Sequence, residues 1–156
     1  MFRSGRIRLP FILILLSILT ACGGGGSSSD SPATLLINGI TVPPDPDAAV
    51  NQATLAGVDS NSNGIRDDIE RQIATDFGTD AARHALATDH ARLLQEVFVS
   101  PTPGSNTAYF DQFRCINDSV MLSQLDTLAR LVLDTASRQR AYGTAIAGAV
   151  ISIEGC

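Results

Sequence analysis

"GVDSNSNGIRDDIERQIATDFG", residues 57–78, carries two periods side by side. Before Gly64 the oxygen-bearing side chains of Asp59, Asn61 and Asn63 fall at alternate positions, as in a chain that turns every second side chain toward one centre. From Asp67 onward the apolar residues Ile69, Ile73 and Phe77 recur at four-residue steps, the period of a helix with one buried face. Gly78 follows directly, in the place where a C′ glycine commonly ends a helix. The stretch therefore reads as a loop feeding an amphipathic helix.

The helical period continues toward the C-terminus. "TDAARHALATDHARLLQEVF" (79–98) predicts a second helix, capped by Thr79 or Asp80, with Ala82, Leu86, Leu93, Leu94, Val97 and Phe98 on or near its inner face. "SPTPGSN" (100–106) predicts a break. Phe110, Phe113, Val120, Met121, Leu125, Leu128, Leu131 and Val132 then predict two helices with a bend near residues 117–123. A last helix is expected from Tyr142, Ile146, Val150 and Ile153, with Ala145, Ala147 and Ala149 permitting close contact. The expectation is an all-α fold: a small bundle of four to five helices over residues 59–156, with no convincing sheet. Toward the N-terminus, residues 35–58 begin with a leucine-rich and β-branched run that could make a short strand or an extended segment before Pro43, Pro44 and Pro46 cut it short; the expectation is an extended Pro-rich arm lying on the domain.

Residues 1–21 read differently. Arg3, Arg6 and Arg8 precede an apolar run, Phe11 to Leu19, that is too short for a comfortable permanent span, the pattern of a signal peptide. Its end, Leu19-Thr20-Ala21-Cys22, resembles the lipobox of bacterial lipoproteins, which implies cleavage before Cys22 and lipidation of its thiol. Several acyl chains would anchor the protein stably to a membrane without spanning it, at about 0.8 kcal/mol per buried methylene. Gly23 after the cysteine, by the same resemblance to Gram-negative lipoproteins, implies the outer membrane of the cell envelope. The Gly/Ser-rich tether that completes residues 22–34 would let the domain stand off the headgroups.

Without the signal, eight arginines face all sixteen carboxylates, a formal charge of −8. That balance argues against nucleic acid or anionic headgroups as partners. Every basic residue is arginine, which excludes lysine Schiff-base chemistry and a P-loop lysine. Cys115 and Cys156 remain as an even pair, expected to form a disulfide in an oxidising compartment; two free thiols or an intermolecular link are the competing readings. Such a bridge would contribute roughly 3–4 kcal/mol in the chain-entropy picture.

With Asp59 as position 1, Asn61, Asn63, Gly64, Ile65 and Glu70 fall at positions 3, 5, 6, 7 and 12, which fits the pattern D-x-[DN]-x-[DN]-G-x5-E and resembles an EF-hand calcium loop. The resemblance implies Ca2+ held by Asp59, Asn61, Asn63, the Ile65 carbonyl, Asp67 and Glu70. Position 8 is Arg66, where paired EF-hands carry an apolar residue, and in this respect "DSNSNGIRDDIE" is more similar to the loops of thrombospondin type 3 repeats and dockerin-like modules. The loop occurs once, so paired cooperative sensing is not expected. Few charged ligands imply weak binding, about 10⁻⁴ to 10⁻³ M, and a structural role. The competing reading is a metal-free turn before a capped helix, which favours the same residue types.

Catalytic motifs are missing from the sequence. His84 and His90, the two histidines, are six residues apart on different helix faces and read as exposed or partly buried helix positions. Asp111, Asp118, Asp126 and Asp134 have the spacing of a solvated face. A catalytic reading would need a cleft that joins a histidine to carboxylates, and no enzyme is expected. The function expected is that of a membrane-anchored lipoprotein with a calcium-stapled helical domain, serving as an interaction or structural module with a protein partner in the envelope. The alternative is a metal-independent bundle that binds a partner or small ligand in an apolar groove.

Overall fold

The computed structural model describes residues 35–147 and residue 149. Residues 1–34, with Cys22, and residues 150–156, with Cys156, lie outside the described residues, as do Val150 and Ile153 of the expected last helix. The described chain is mostly helical, and its sheet is a single hairpin.

The arm is not extended as expected. Leu35–Ile37 (β1) and Ile40–Val42 (β2) pair antiparallel with Leu35 opposite Val42 and Ile37 opposite Ile40. Asn38 and Gly39 both have positive φ, 51° and 80°, so this Asn-Gly pair makes the primed two-residue turn that matches strand twist. Val42 is buried, while Leu36 faces solvent. After the prolines, Asp47 caps a short helix, Ala48–Gln52 (α1), by accepting from the Val50 amide at 3.0 Å. Five residues are too few for periodicity to reveal.

Asp67–Phe77 (α2) buries Ile69, Ile73 and Phe77 as its four-residue steps require. Its end departs from expectation, because Gly78 is right-handed, with φ −62°, and needs no left-handed freedom. What Gly78 supplies is space: a Cβ there would lie 2.9 Å from the Cβ of Asn38 and closer still to the Ala74 carbonyl. Asn38 uses that approach to donate its amide to the Ala74 and Thr75 carbonyls at 2.9 and 3.1 Å, capping the helix from the hairpin.

Ala81–Val99 (α3) is the central helix, in contact with α2 and with three helices that follow it. Asp80 is its cap, accepting from Ala82 and Arg83. Ala87 and Ala91, both buried, let neighbours approach its axis, and Leu94, Val97 and Phe98 fill the core, whereas Ala82 is exposed rather than inward. The break after α3 is shorter than expected: Thr102 and Ser105 form a capping box around Pro103, so Pro103–Asp111 (α4) begins inside "SPTPGSN". A 3₁₀ turn, Gln112–Cys115, leads to Ser119–Val132 (α5), capped by Asp118. The bend thus falls at residues 116–118, at the start of the expected range. Thr135 caps Ala136–Ile146 (α6). The all-α class stands, with six helices among the described residues and a two-stranded hairpin in place of an extended arm. None of the described helices is long and apolar enough to cross a membrane.

Candidate calcium site

The loop is closed at its base by the main chain. The Asp67 amide donates to the Val58 carbonyl at 2.8 Å, the Ser60 amide donates to Asp67 Oδ1 at 2.9 Å, and the Val58 amide donates to Asn51 Oδ1 at 2.9 Å. Within this ring Asp59 gathers the turn, accepting from Asn63 at 3.1 Å and from Gly64 at 2.8 Å. Asn61 Oδ1 and Asn63 Oδ1 each accept the amide two residues on, from Asn63 and Ile65. Gly64, at φ 86°, makes the sharp turn that its position predicts.

Glu70 reaches back from the first turn of α2 across the loop. Its carboxylate accepts from Asn63 Nδ2 at 2.6 Å and from Asn61 Nδ2 at 3.2 Å. Burial raises its affinity for a proton, the charges of Asp67 and Asp59 raise it further, and the two amides oppose the rise without cancelling it. Positions 1, 3, 5, 9 and 12 therefore meet around one small loop, whose tip at Asn61–Gly64 is open to solvent. Ile65 and Asp67 are both 2 % exposed, fixing the far half of the loop in the core.

The donor set is suited to a hard divalent cation, since every expected ligand is an oxygen and three are carboxylates. One adjustment would be needed. Asn61 and Asn63 present nitrogen to Glu70, and no three acidic, histidine or cysteine side chains stand at metal-ligand spacing among the described residues. Reversal of the two amides would turn their oxygens inward, at the loss of the bonds those oxygens now accept from the Asn63 and Ile65 amides. No arginine pairs with Asp59, Asp67 or Glu70 among the described residues, so the two amides are what offsets their mutual repulsion at Glu70.

A second set of residues was not legible from the sequence. Arg66, at the position where an apolar residue is usual, is fully buried. Its guanidinium donates to Asp68 at 2.7 and 2.9 Å, to both oxygens of Asp134 at 3.3 Å, and to the Val132 and Leu131 carbonyls that end α5. Arg138, equally buried, binds Asp134 at 2.6 Å and the carbonyls of Asn51, Thr54 and Leu55. Two arginines thus meet two aspartates, and the remaining donors find carbonyls. Burial alone would raise Asp68, but the hydrogen bond and charge of Arg66, together with hydrogen bonds from Asn51 and the Ile69 main chain, outweigh it and hold the carboxyl below its usual range. Asp134, expected on a solvated face, is the bridge between the arginines; the only sequence signal is its four-residue step to Arg138.

The histidines part company, as their spacing implies. His84 joins Glu70 and Thr88 on the wall of a cleft of about 190 Å³ between β2, α2 and α3, with Val42, Ile65 and Ile73 beside them, so a histidine meets one carboxylate there and not the several that a catalytic reading requires. His90 is wholly buried rather than exposed or partly buried, its ring 5.4 Å from Tyr109 and 5.3 Å from Phe113. Nδ1 meets Gln112 Oε1 at 3.2 Å, Nε2 has no hydrogen-bond partner of ordinary geometry, and the Leu125 main chain also interacts with the ring. Cys115 ends the 3₁₀ turn; its expected partner Cys156 and the lipidation residue Cys22 lie outside the described residues. Comparison with protein-family models, curated proteins and solved structures finds no match, so the reading of this site rests on its own residues.

Proposed function

We propose that this protein is a lipid-anchored component of the bacterial envelope whose helical domain binds one calcium ion at residues 59–70 as a structural element, and that the domain serves as an interaction or structural module there. The observation that carries the calcium reading is the meeting of Glu70 with Asn61 and Asn63 across a loop whose turn Asp59 organises. Bound calcium would supply the positive charge that the carboxylates of Asp59, Asp67 and Glu70 lack. Anchoring through Cys22 rests on the lipobox-like sequence.

The test is thermal unfolding in millimolar calcium and in chelator, with Glu70→Gln alongside. Calcium is expected to raise the melting temperature of the wild type and to leave the variant unmoved. Superimposed wild-type curves would sink the calcium reading. In that case the metal-independent alternative takes its place, and the cleft beside His84, though small at about 190 Å³, is the first place to look for a bound molecule.

A further inference from the structure

We infer that the buried Arg66–Asp134–Arg138 network is a latch that preorganises the loop for its cation, so that side chains supplying no candidate ligand set the calcium affinity of this single loop. The inference rests on the calcium reading above. A loop that occurs once has no sister loop to order it, and something else must offset the entropy of holding it. Here the ordering comes from below. Arg66 leaves the loop between Ile65 and Asp67 and runs into the core, where its amide donates to Gln95 Oε1 at 3.3 Å and its guanidinium ties the loop to the end of α5. Gln95 also holds the Ala56 carbonyl, and Arg138 holds three carbonyls between Asn51 and Leu55. Both strands entering the loop are thus fastened to one charge-balanced cluster.

Gly57 shows how closely the two meet. Its φ is +72°, and a Cβ there would stand 2.5 Å from Arg66 Cδ, 2.6 Å from Asn51 Oδ1 and 2.9 Å from Arg138 Nη2. The entering strand therefore packs its bare backbone directly on the latch. Gly57 packs against the cluster and Asp134 is the acceptor within it, and neither is among the expected ligands.

The test titrates calcium calorimetrically into the full chain held in detergent micelles, comparing wild type with Asp134→Asn, Gly57→Ala and Met121→Ala. Met121 lies in the first turn of α5, about 16 Å by helix rise from the carbonyls that Arg66 binds. It is buried, so its truncation lowers the melting temperature without touching the latch. Asp134→Asn and Gly57→Ala are each expected to weaken calcium binding about tenfold, as loss of supporting residues around metal ligands commonly does, with Met121→Ala unchanged. Hydrogen exchange in chelator supplies a metal-free readout: the amides of Asn63 and Gly64, bound to Asp59, should exchange faster in the two latch variants only. Wild-type binding matched within twofold by both latch variants would overturn the latch and leave the calcium site standing. Equal weakening in Met121→Ala would also overturn it, since general destabilisation would then account for the effect. No binding by the wild type would overturn the calcium reading, and the latch's role in affinity with it.

Discussion

At the scale of single residues, His90 makes a pH-dependent claim. Burial lowers its proton affinity, with the Gln112 contact opposing only in part, so the folded protein keeps the ring neutral below the ordinary histidine value. The unfolded chain takes up that proton first, near pH 6.5, and the folded state lags behind. The contribution of His90 to stability is therefore full above about pH 6.5 and is lost as the pH falls from there toward the folded value. Urea unfolding in chelator from pH 7.5 to 5 should show stability declining with acid, and His90→Phe should flatten that decline. A wild-type decline no steeper than that of His90→Phe would mean that the folded protein takes up the ring's proton as readily as the unfolded chain, the comparison removing the opposite slope that Glu70, with its raised proton affinity, contributes. The loop pattern was legible at this scale, because alternation and a glycine at the turn are local properties of the chain. The depth of His90 was not, because its neighbours Tyr109 and Phe113 come from the next helix and the 3₁₀ turn after it.

At the scale of elements, caps and breaks did much of the specifying. Asp80, Asp118 and Thr102 each accept amides from the turn they begin; of the three, Asp80 alone is expected as a cap from the sequence, in which Asp118 reads as part of a solvated face and Thr102 as part of a break. Asp80→Ala is expected to cost about 0.5–2 kcal/mol, measured by urea unfolding, because the Ala82 and Arg83 amides both lose their acceptor. A loss under a few tenths would show that solvent replaces the cap. The hairpin was the element missed, although Asn38-Gly39 between β-branched runs is a recognised turn signal. Two strands of three residues gain stability only by docking, and this pair docks through Val42 and through the Asn38 cap on α2. The proline-rich sequence that follows concealed it.

At the scale of the whole molecule, the fold closes around charge as well as around apolar side chains. Arg66→Met should destabilise by about 3 kcal/mol, the low end for breaking a buried ion pair, because the side chains of Asp68 and Asp134 are each 30 % exposed and can recover water. Chelator-treated protein isolates this effect in urea melts, and a loss below about 1 kcal/mol would demote the network to a passive filler. The sequence by itself determined the helical class, the bounds of α2 and α3, the buried face of α2 and the turn of the loop at Gly64, since each follows from spacings of two to four residues along one chain segment. Only the tertiary structure decided that Arg66 and Arg138 are buried and that Asp134 joins them. Burying a guanidinium is costly until its donors find acceptors, and these acceptors come from as far away as Asn51, 87 positions from Arg138. Local periodicity cannot register a partner that folding alone brings within reach.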